Sequence, residues 1–407
     1  MPRTKMALSF NATQARVKEL ALQHIKQTKF CAYDTHTMHQ RLEELAQREC
    51  TPVSLKQAYA FGKNPSSSIR LLNSQFLHQE LPIRIVQRIQ ELKNFPHGLS
   101  ETPEIQKVIH WYMQYANDIL EFPKPQTLQD DANFTALLST ILLDNTTIPR
   151  ALSMGVHTFR AGRPGRLPAA DQGAGEWARV DLANWRAGRD LDNRLRAFYT
   201  ARVGLRFLIE QHVLSARRQP PGWAGIIQNE CDPVAVAAAA AERASEVCRR
   251  HMGAAPPVVV TGAGSGARPT FTYAPAHLDY MLVHLLKNSF RATLEAHHPA
   301  LAGRRDFFRR PPAERLALRE AVAASPEART GGAGLPPVRV VICVGEEDVA
   351  IKVADEGGGA SRAAMRDLWH FFYSTAGRPE DDVAAQPVEP GDAWRLHRQM
   401  TGAAPPR

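Results

Sequence analysis

Residues 278–298, LDYMLVHLLKNSFRATLEAHH, constrain the chain more than any other stretch. At ~100° per residue its apolar positions recur with helical period. Tyr280, His284, Asn288, Arg291 and Glu295 fall on one narrow stripe. Leu278, Met281, Leu282, Val283, Leu285, Leu286, Phe290, Ala292 and Leu294 cover the rest. A surface helix usually shows the reverse, a narrow apolar stripe and a wide polar face. The spacing therefore predicts a mostly buried helix carrying one file of ligand-type side chains. A solvated edge would give the same stripe, so the decision falls to the neighbouring sequence.

With 407 residues the chain is long enough for two domains with ordinary cores. A 44% hydrophobic and 22% charged content is a globular balance. No apolar run approaches the ~18–20 residues that cross a bilayer, so no membrane span is expected. The net charge of +9 favours acidic partners. The arginines are scattered, however, and no basic block interleaves with aromatics, which argues against nucleic acid. The five cysteines, Cys31, Cys50, Cys231, Cys248 and Cys343, form no CxxC and sit near no His pair at zinc spacing. They read as reduced structural thiols of an intracellular compartment. Residues 1–18 hold Arg3, Lys5, Arg16 and Lys18 and no acid. A transit segment and an ordinary amphipathic start fit that pattern equally.

Taken in order, residues 1–35 read as a leader and 36–217 as an all-α helical bundle. Helices are expected at 17–29, 37–49, 54–61 (ended by Gly62), 103–120, 133–143 and 191–215. The run 69–92 should be divided in two by Pro82. Short connections between helices suggest antiparallel packing. At about 159–187 the composition shifts to Arg, Gly, Pro and Ala, an insertion in the bundle. A second domain follows, 218–380. Asp232-Pro233 opens an alanine-rich helix as N-cap and first-turn residue, with Gly253 beyond its end. Residues 258–261 read as a strand. Residues 338–344 and 349–354 read as a hairpin. Residues 297–337 read as an insertion, a loop with one exposed helix at 313–324. Strands alternating with helices imply an α/β sandwich. Residues 381–407 are a low-complexity tail.

Two more stretches carry chemistry. Asp355-Glu356-Gly357-Gly358-Gly359 follows the hairpin directly. An acid at a strand end, then glycines, lets backbone approach a ligand while the carboxylate accepts from an exocyclic amine such as adenine's. Alone it equally fits a glycine-rich turn. Residues 371–376, FFYSTA, offer hydroxyls suited to phosphate oxygens, though such pairs more often make caps or turns.

Together the three stretches, in this order, resemble the GHKL ATPase group. Within it the chain is similar to the mitochondrial protein kinases of 2-oxo acid dehydrogenases. LLKNSFRATLEAH looks like that family's Asn-bearing helix. SLKQAYAFG, FLHQELPIRIVQRI, FYTARVGLRFLIEQH and GIIQNECDP resemble family stretches in the same order. LDY before the helix leans toward the branched-chain kinase rather than the pyruvate dehydrogenase kinases.

The resemblance implies a GHKL-type second domain binding ATP with Mg²⁺. Asn288 would ligate the cation that bridges the phosphates, and Arg291 would lie beside them. Asp355 would read adenine, with Gly357 and Gly359 allowing close approach. Ser374 and Thr375 would lie near the nucleotide in the lid. The substrate would be a serine on the decarboxylase subunit of a 2-oxo acid dehydrogenase complex. The bundle would dock the lipoyl domain of its acyltransferase. The protein would be a homodimer of the mitochondrial matrix.

There are two departures from the family pattern. His284 stands where the family places a glutamate as general base, four residues before the Asn. A histidine can take a proton near neutral pH. No GxGxGL-type loop follows the YSTA stretch in residues 377–407, so a C-terminally incomplete domain is expected. Asn145 stands where a family histidine is expected. A non-catalytic docking protein with a degenerate ATP site is the competing reading. A histidine kinase is a third, with His212 as its phosphoacceptor.

Overall fold

The computed structural model describes residues 35–63, 66–161, 182–217, 219–263, 270–302, 307–345 and 347–371. The helix expected at 17–29, most of the 159–187 insertion, Ser374, Thr375 and the 381–407 tail lie outside the described residues. The chain divides into two compact units. One holds the described residues up to 161 and the helix ending at Ser215, and the other those from Pro220 on.

The first unit is helical throughout its described elements: α1 (Thr35–Ala46), α2 (Leu55–Lys63), α3 (Ser67–Lys93), α4 (Pro103–Glu121), α5 (Leu128–Asp144), α6 (Ile148–Ala161) and α7 (Leu182–Ser215). Side chains start the helices. Ser54 Oγ accepts from Gln57 N at 3.2 Å and Gln57 Oε1 from Ser54 N at 2.8 Å, a capping box before α2. Thr127 and Asp130 make the same reciprocal pair before α5. That pair places the start of α5 well ahead of the expected residue 133. Gly62 lies inside α2 rather than ending it.

Pro82 does not divide the long run; α3 passes through it unbroken. A proline inside a helix costs ~3 kcal/mol or more. Against that, Leu77, Leu81, Ile85, Val86, Ile89 and Leu92 are all buried, each worth roughly 1.5–3 kcal/mol. The packed face of α3 along α4 outweighs one lost rung. Tyr112, Phe95 and Phe198 meet edge-to-face in this core, with centroids 6.2–6.3 Å apart.

A polar network threads the apolar interior. Asp131 on α5 accepts from Arg70 on α3 through Nε at 2.9 Å and Nη2 at 3.0 Å, and from Ser74 Oγ. His212 on α7 is buried, 1% exposed, and both ring nitrogens are engaged. Nδ1 lies 3.0 Å from the Asn73 amide nitrogen and Nε2 3.0 Å from Thr135 Oγ. The Asn73 amide donates to Nδ1, which leaves the Nε2–H to donate to Thr135. His212 is thus a residue of the bundle interior, and a nitrogen so engaged and enclosed presents no nucleophile for the histidine-kinase alternative. A second network joins α7 to the end of α5. Arg202 donates to the Asn145 side chain, and to its backbone carbonyl at 2.6 Å.

The second unit has two three-stranded sheets. β1 (Trp223–Ala224), β2 (Ile227–Cys231) and β4 (Phe271–Tyr273) form an antiparallel sheet that the sequence reading missed. Its strands are too short for a clear period-2 signal. The other sheet runs β3–β5–β6, with β3 (Val258–Ala263), β5 (Val338–Val344) and β6 (Val349–Ala354). β5 is parallel to β3, with Val258 opposite Val338, and antiparallel to β6, with Arg339 opposite Ala354. The expected hairpin is therefore present. Val338, Val340 and Ile342 point into the core beneath α8 (Pro233–Met252) and α9 (Pro275–His297).

Asp232 caps α8 by accepting from Val234 N and Ala235 N. Gly253 ends it at φ +92°, where a Cβ would meet the Val322 side chain at 3.1 Å. The segment 297–337 is more than a loop. It holds α10 (Pro312–Ala323) and α11 (Pro326–Arg329), and it sends Leu301, Phe307, Val322 and Leu335 into the same core. Its Pro/Arg/Ala composition hid four widely spaced anchors. The short helix α12 (Arg362–Asp367) follows β6. Cys50, Cys231, Cys248 and Cys343 are all free thiols, and burial pushes those of Cys231 and Cys248 up to about 12.

The His212 network yields a pH signature. Desolvation first, then the Arg70 guanidinium, holds the His212 pKa down to about 4, with Asp131 opposing. The unfolded chain binds this proton near pH 6.5 and the folded unit only near 4. Stability is thus full above pH 6.5 and falls as pH drops through that window, by up to about 3 kcal/mol. Urea midpoints measured from pH 7 to 4.5 should show this slope, and His212→Asn should flatten it.

Candidate functional site

α9 is built from Pro275 at its first turn to His297, with Leu278, Leu282, Leu286, Phe290 and Leu294 buried against α8 and β5. Asp279 is buried too, paired with Arg243 of α8. The outward face differs from the expected narrow polar file. Tyr280, Met281 and Leu285 are exposed at 55%, 45% and 51%, beside exposed His284 and Asn288. Positions 281, 285 and 288 lie on one side of the helix by the i, i+4, i+7 rule, so apolar and polar residues share this edge. The helix is thus half open rather than mostly buried.

Along that edge the candidate residues occupy different settings. The rings of Tyr280 and His284 are 4.5 Å apart at 54°. Desolvation of the imidazole, and then the Lys287 ammonium, push the His284 pKa below its ordinary value. His284 is consequently neutral at physiological pH, with a lone pair able to accept a proton. Asn288 presents its amide to solvent. Arg291 is held: its Nε donates to Glu295 Oε1 at 2.8 Å, and its guanidinium stacks 5.0 Å over the Phe308 ring. Phe308 comes from the 297–337 segment, an anchor that sequence reasoning overlooked. Glu295 is itself buried, which makes this a pair of limited mobility.

The loop after β6 lies directly on α9. A Cβ built on Gly357 would come within 2.7 Å of the Ala292 carbonyl carbon. Gly357 is buried, while Gly358 and Gly359 are exposed. The glycines therefore have separate reasons. Gly357 is required by contact with the helix, whereas Gly359 sits at φ +63° with open space around it. Asp355 is exposed, and its Oδ1 accepts from Gly357 N at 2.9 Å in a turn that uses only one of the two carboxylate oxygens. His297 Nε2 lies 2.8 Å from the Glu356 carbonyl. Asp355, Gly357 and the Asn288 helix, far apart in sequence, are thus parts of one surface.

Among the described residues no group of three or more His, Cys, Asp or Glu could hold a metal ion. The donor set fits a hard cation that arrives already coordinated by phosphate and water oxygens, with the Asn288 amide oxygen as a protein ligand.

Comparisons with known proteins agree on the lineage. A family model described as "Mitochondrial branched-chain alpha-ketoacid dehydrogenase kinase" matches residues 52–228. The chain is 32% identical over 336 residues to an Arabidopsis thaliana protein named "[Pyruvate dehydrogenase (acetyl-transferring)] kinase, mitochondrial", covering 82% of this chain and 77% of that one. It is 26% identical to a Schizosaccharomyces pombe protein of the same name, over 87% of each. It is 28% identical to isozyme 4 of Mus musculus, covering 82% and 70%. The class is that of the mitochondrial kinases. More narrowly, the chain belongs to the mitochondrial 2-oxo acid dehydrogenase kinase family.

The two glycine positions should respond differently to a methyl group. Gly357→Ala must push the loop off Ala292, an overpacking cost of about 1–3 kcal/mol. Gly359→Ala meets only the backbone penalty of a positive φ, about 1 kcal/mol. Chemical denaturation of both variants should rank them in that order.

Proposed function

We propose that the chain is an ATP-dependent Ser/Thr protein kinase acting on the decarboxylase subunit of a mitochondrial 2-oxo acid dehydrogenase complex, and inhibiting it. The observation that carries this reading is the seating of the Asp355 loop on the Asn288 helix, with Gly357 against Ala292. That is how a GHKL-type domain would join an adenine reader to a cation ligand. The family membership supports it, and the relatives' names supply the dehydrogenase complex as the target. The family model is named for the branched-chain kinase and the relatives for pyruvate dehydrogenase, and the LDY sequence favours the branched-chain complex.

Bound Mg-ATP supplies the phosphoryl group and the cation that neutralises its charge. Asn288 would hold that cation, and the Asp355 carboxylate would accept from the adenine amine. Gly359, exposed and without a Cβ, leaves room for the base to approach. Arg291 screens phosphate charge from its place beside Glu295, and the hydroxyls of Ser374 and Thr375, which lie outside the described residues, would serve the phosphate oxygens. His284 would take the serine proton as the serine oxygen bonds to the γ-phosphorus and the bond from that phosphorus to the ADP oxygen breaks, with ADP leaving. Transfer of this type depends chiefly on positioning and charge neutralisation. The helical unit docks the acidic lipoyl domain, for which the net charge of +9 is favourable. The protein works as a homodimer in the matrix.

A second reading has an observation of its own. The Arg291 charge is already engaged by Glu295, and an imidazole replaces the family carboxylate at residue 284. Both weaken transfer and leave docking untouched, as a complex-binding protein with a degenerate ATP site would require.

Calorimetry with Mg-ATP, followed by phosphate incorporation into the decarboxylase subunit, separates the two. The kinase reading expects binding that Asn288→Ala reduces at least tenfold, and measurable transfer that His284→Glu raises. Absence of affinity at millimolar Mg-ATP would sink it. Binding without transfer, unrelieved by His284→Glu, would favour the docking protein.

A further inference from the structure

We propose that His297 is a positioning residue for the nucleotide: its hydrogen bond to the Glu356 carbonyl fixes the Asp355 loop to the helix that carries Asn288. The inference rests on the nucleotide-binding reading above and deepens it. His297 is the last residue of α9, and its Nε2 lies 2.8 Å from the Glu356 oxygen. A carbonyl oxygen can only accept, so the imidazole Nε2–H donates. That proton is present on this tautomer and on the imidazolium alike.

The geometry around this bond leaves little else to set the loop's angle. Gly357 against Ala292 is one point of attachment, and it fixes height above the helix rather than rotation. His297 is five residues further along, about 7–8 Å at the helical rise, and supplies a second point. Two separated points define an orientation where one does not. The Glu356 peptide so held is the middle of the turn in which Asp355 Oδ1 accepts from Gly357 N. Rotating that peptide would swing the other carboxylate oxygen. His297 is itself exposed, but its contact is of hydrogen-bond length and holds the peptide, whereas Arg339 reaches only the Glu356 side chain, at 3.8 Å and more than half exposed at both ends. Asn288 sits one turn before Ala292, so the cation ligand and the adenine acceptor share one rigid helix as their frame.

The test uses the full chain. Mg-ATP and Mg-GTP affinities are measured by calorimetry for wild type, His297→Ala, His297→Gln and His297→Phe. Backbone amide exchange is followed over residues 355–359 without nucleotide. Loss of the donor should weaken Mg-ATP by about tenfold or somewhat less and narrow the preference over Mg-GTP, as expected for a lost hydrogen bond. Exchange in the loop should speed up. His297→Gln, whose amide can donate, should recover most of the affinity. His297→Phe fills similar volume without a donor and should behave like alanine, which keeps the test intact if the alanine variant folds poorly. If wild type binds Mg-ATP and the donor-less variants bind it equally, with the same base preference, the positioning role is wrong while the nucleotide reading stands. If wild type binds no Mg-ATP, the nucleotide reading falls and this inference with it.

Discussion

The contact between Gly357 and Ala292 is the constraint on which the candidate site depends. Helix α9 comes roughly sixty residues before the loop after β6 in sequence. They can meet only because β5 and β6 rise beneath the helix with Val338, Val340 and Ile342 turned up into it. A backbone that passes this close to a helix tolerates no side chain on the loop and no more than a methyl group on the helix at the crossing. Glycine on the loop and alanine on the helix satisfy that jointly. The loop's other glycines answer to backbone angle instead, Gly358 at φ +84° and Gly359 at φ +63°. Three consecutive glycines thus reflect two unrelated physical demands.

In the helical unit the comparable constraint is polar. Arg70, Asp131 and His212 come from three helices and are mutually satisfied with Asn73, Ser74, Thr135 and Ser215. Apolar packing alone tolerates small slips of one helix past another. A bidentate guanidinium–carboxylate pair does not, because misalignment strands a charge in low dielectric. The network therefore fixes the register of α3, α5 and α7, while apolar residues such as Leu77, Phe134 and Phe198 contribute the burial energy.

Much of the fold was legible because period and punctuation agree in it. Asp232-Pro233 and Gly253 bracket α8 by chemistry that is local to the chain. The β5–β6 hairpin carries β-branched residues at alternate positions of each strand, Val338, Val340 and Ile342 on one and Val349, Ile351 and Val353 on the other, on either side of a turn. What escaped was non-local. The continuity of α3 through Pro82 is set by burial against α4, which no local rule contains. The small β1–β2–β4 sheet depends on pairing Gln228 with Tyr273 across more than forty residues. The buried anchors of 297–337 are single apolar residues in a stretch whose composition reads as loop. At the site, the motifs Asn288 and Asp355–Gly359 stood out as sequence, yet His297 and Phe308 did not. Each acts through one contact to a distant residue, and a lone ring beside a motif has no periodicity to reveal it.

The electrostatics of the α9 edge follow from its being half open. Lys287 and Arg291 flank Asn288, so the edge carries positive charge where an anion would settle. Arg291 is moderated by Glu295, and that pair is sheltered by the Phe308 ring. Burial strengthens the pair and would resist its opening, so the charge Arg291 can lend to a ligand is reduced by the charge it has already met. The same positive edge acts on residue 284. A carboxylate there would be stabilised in its ionised form by Lys287, whereas the imidazole is pushed toward its neutral form, first by desolvation and then by Lys287. Both are bases at neutral pH, yet they differ after the proton is taken. The carboxylate becomes neutral, while the imidazole becomes a cation beside Lys287 and beside any cation that Asn288 would hold on the proposed reading. The cost of that positive charge falls on the transition state, which is why residue 284 and not the seating of the loop sets how well this edge could transfer a phosphoryl group.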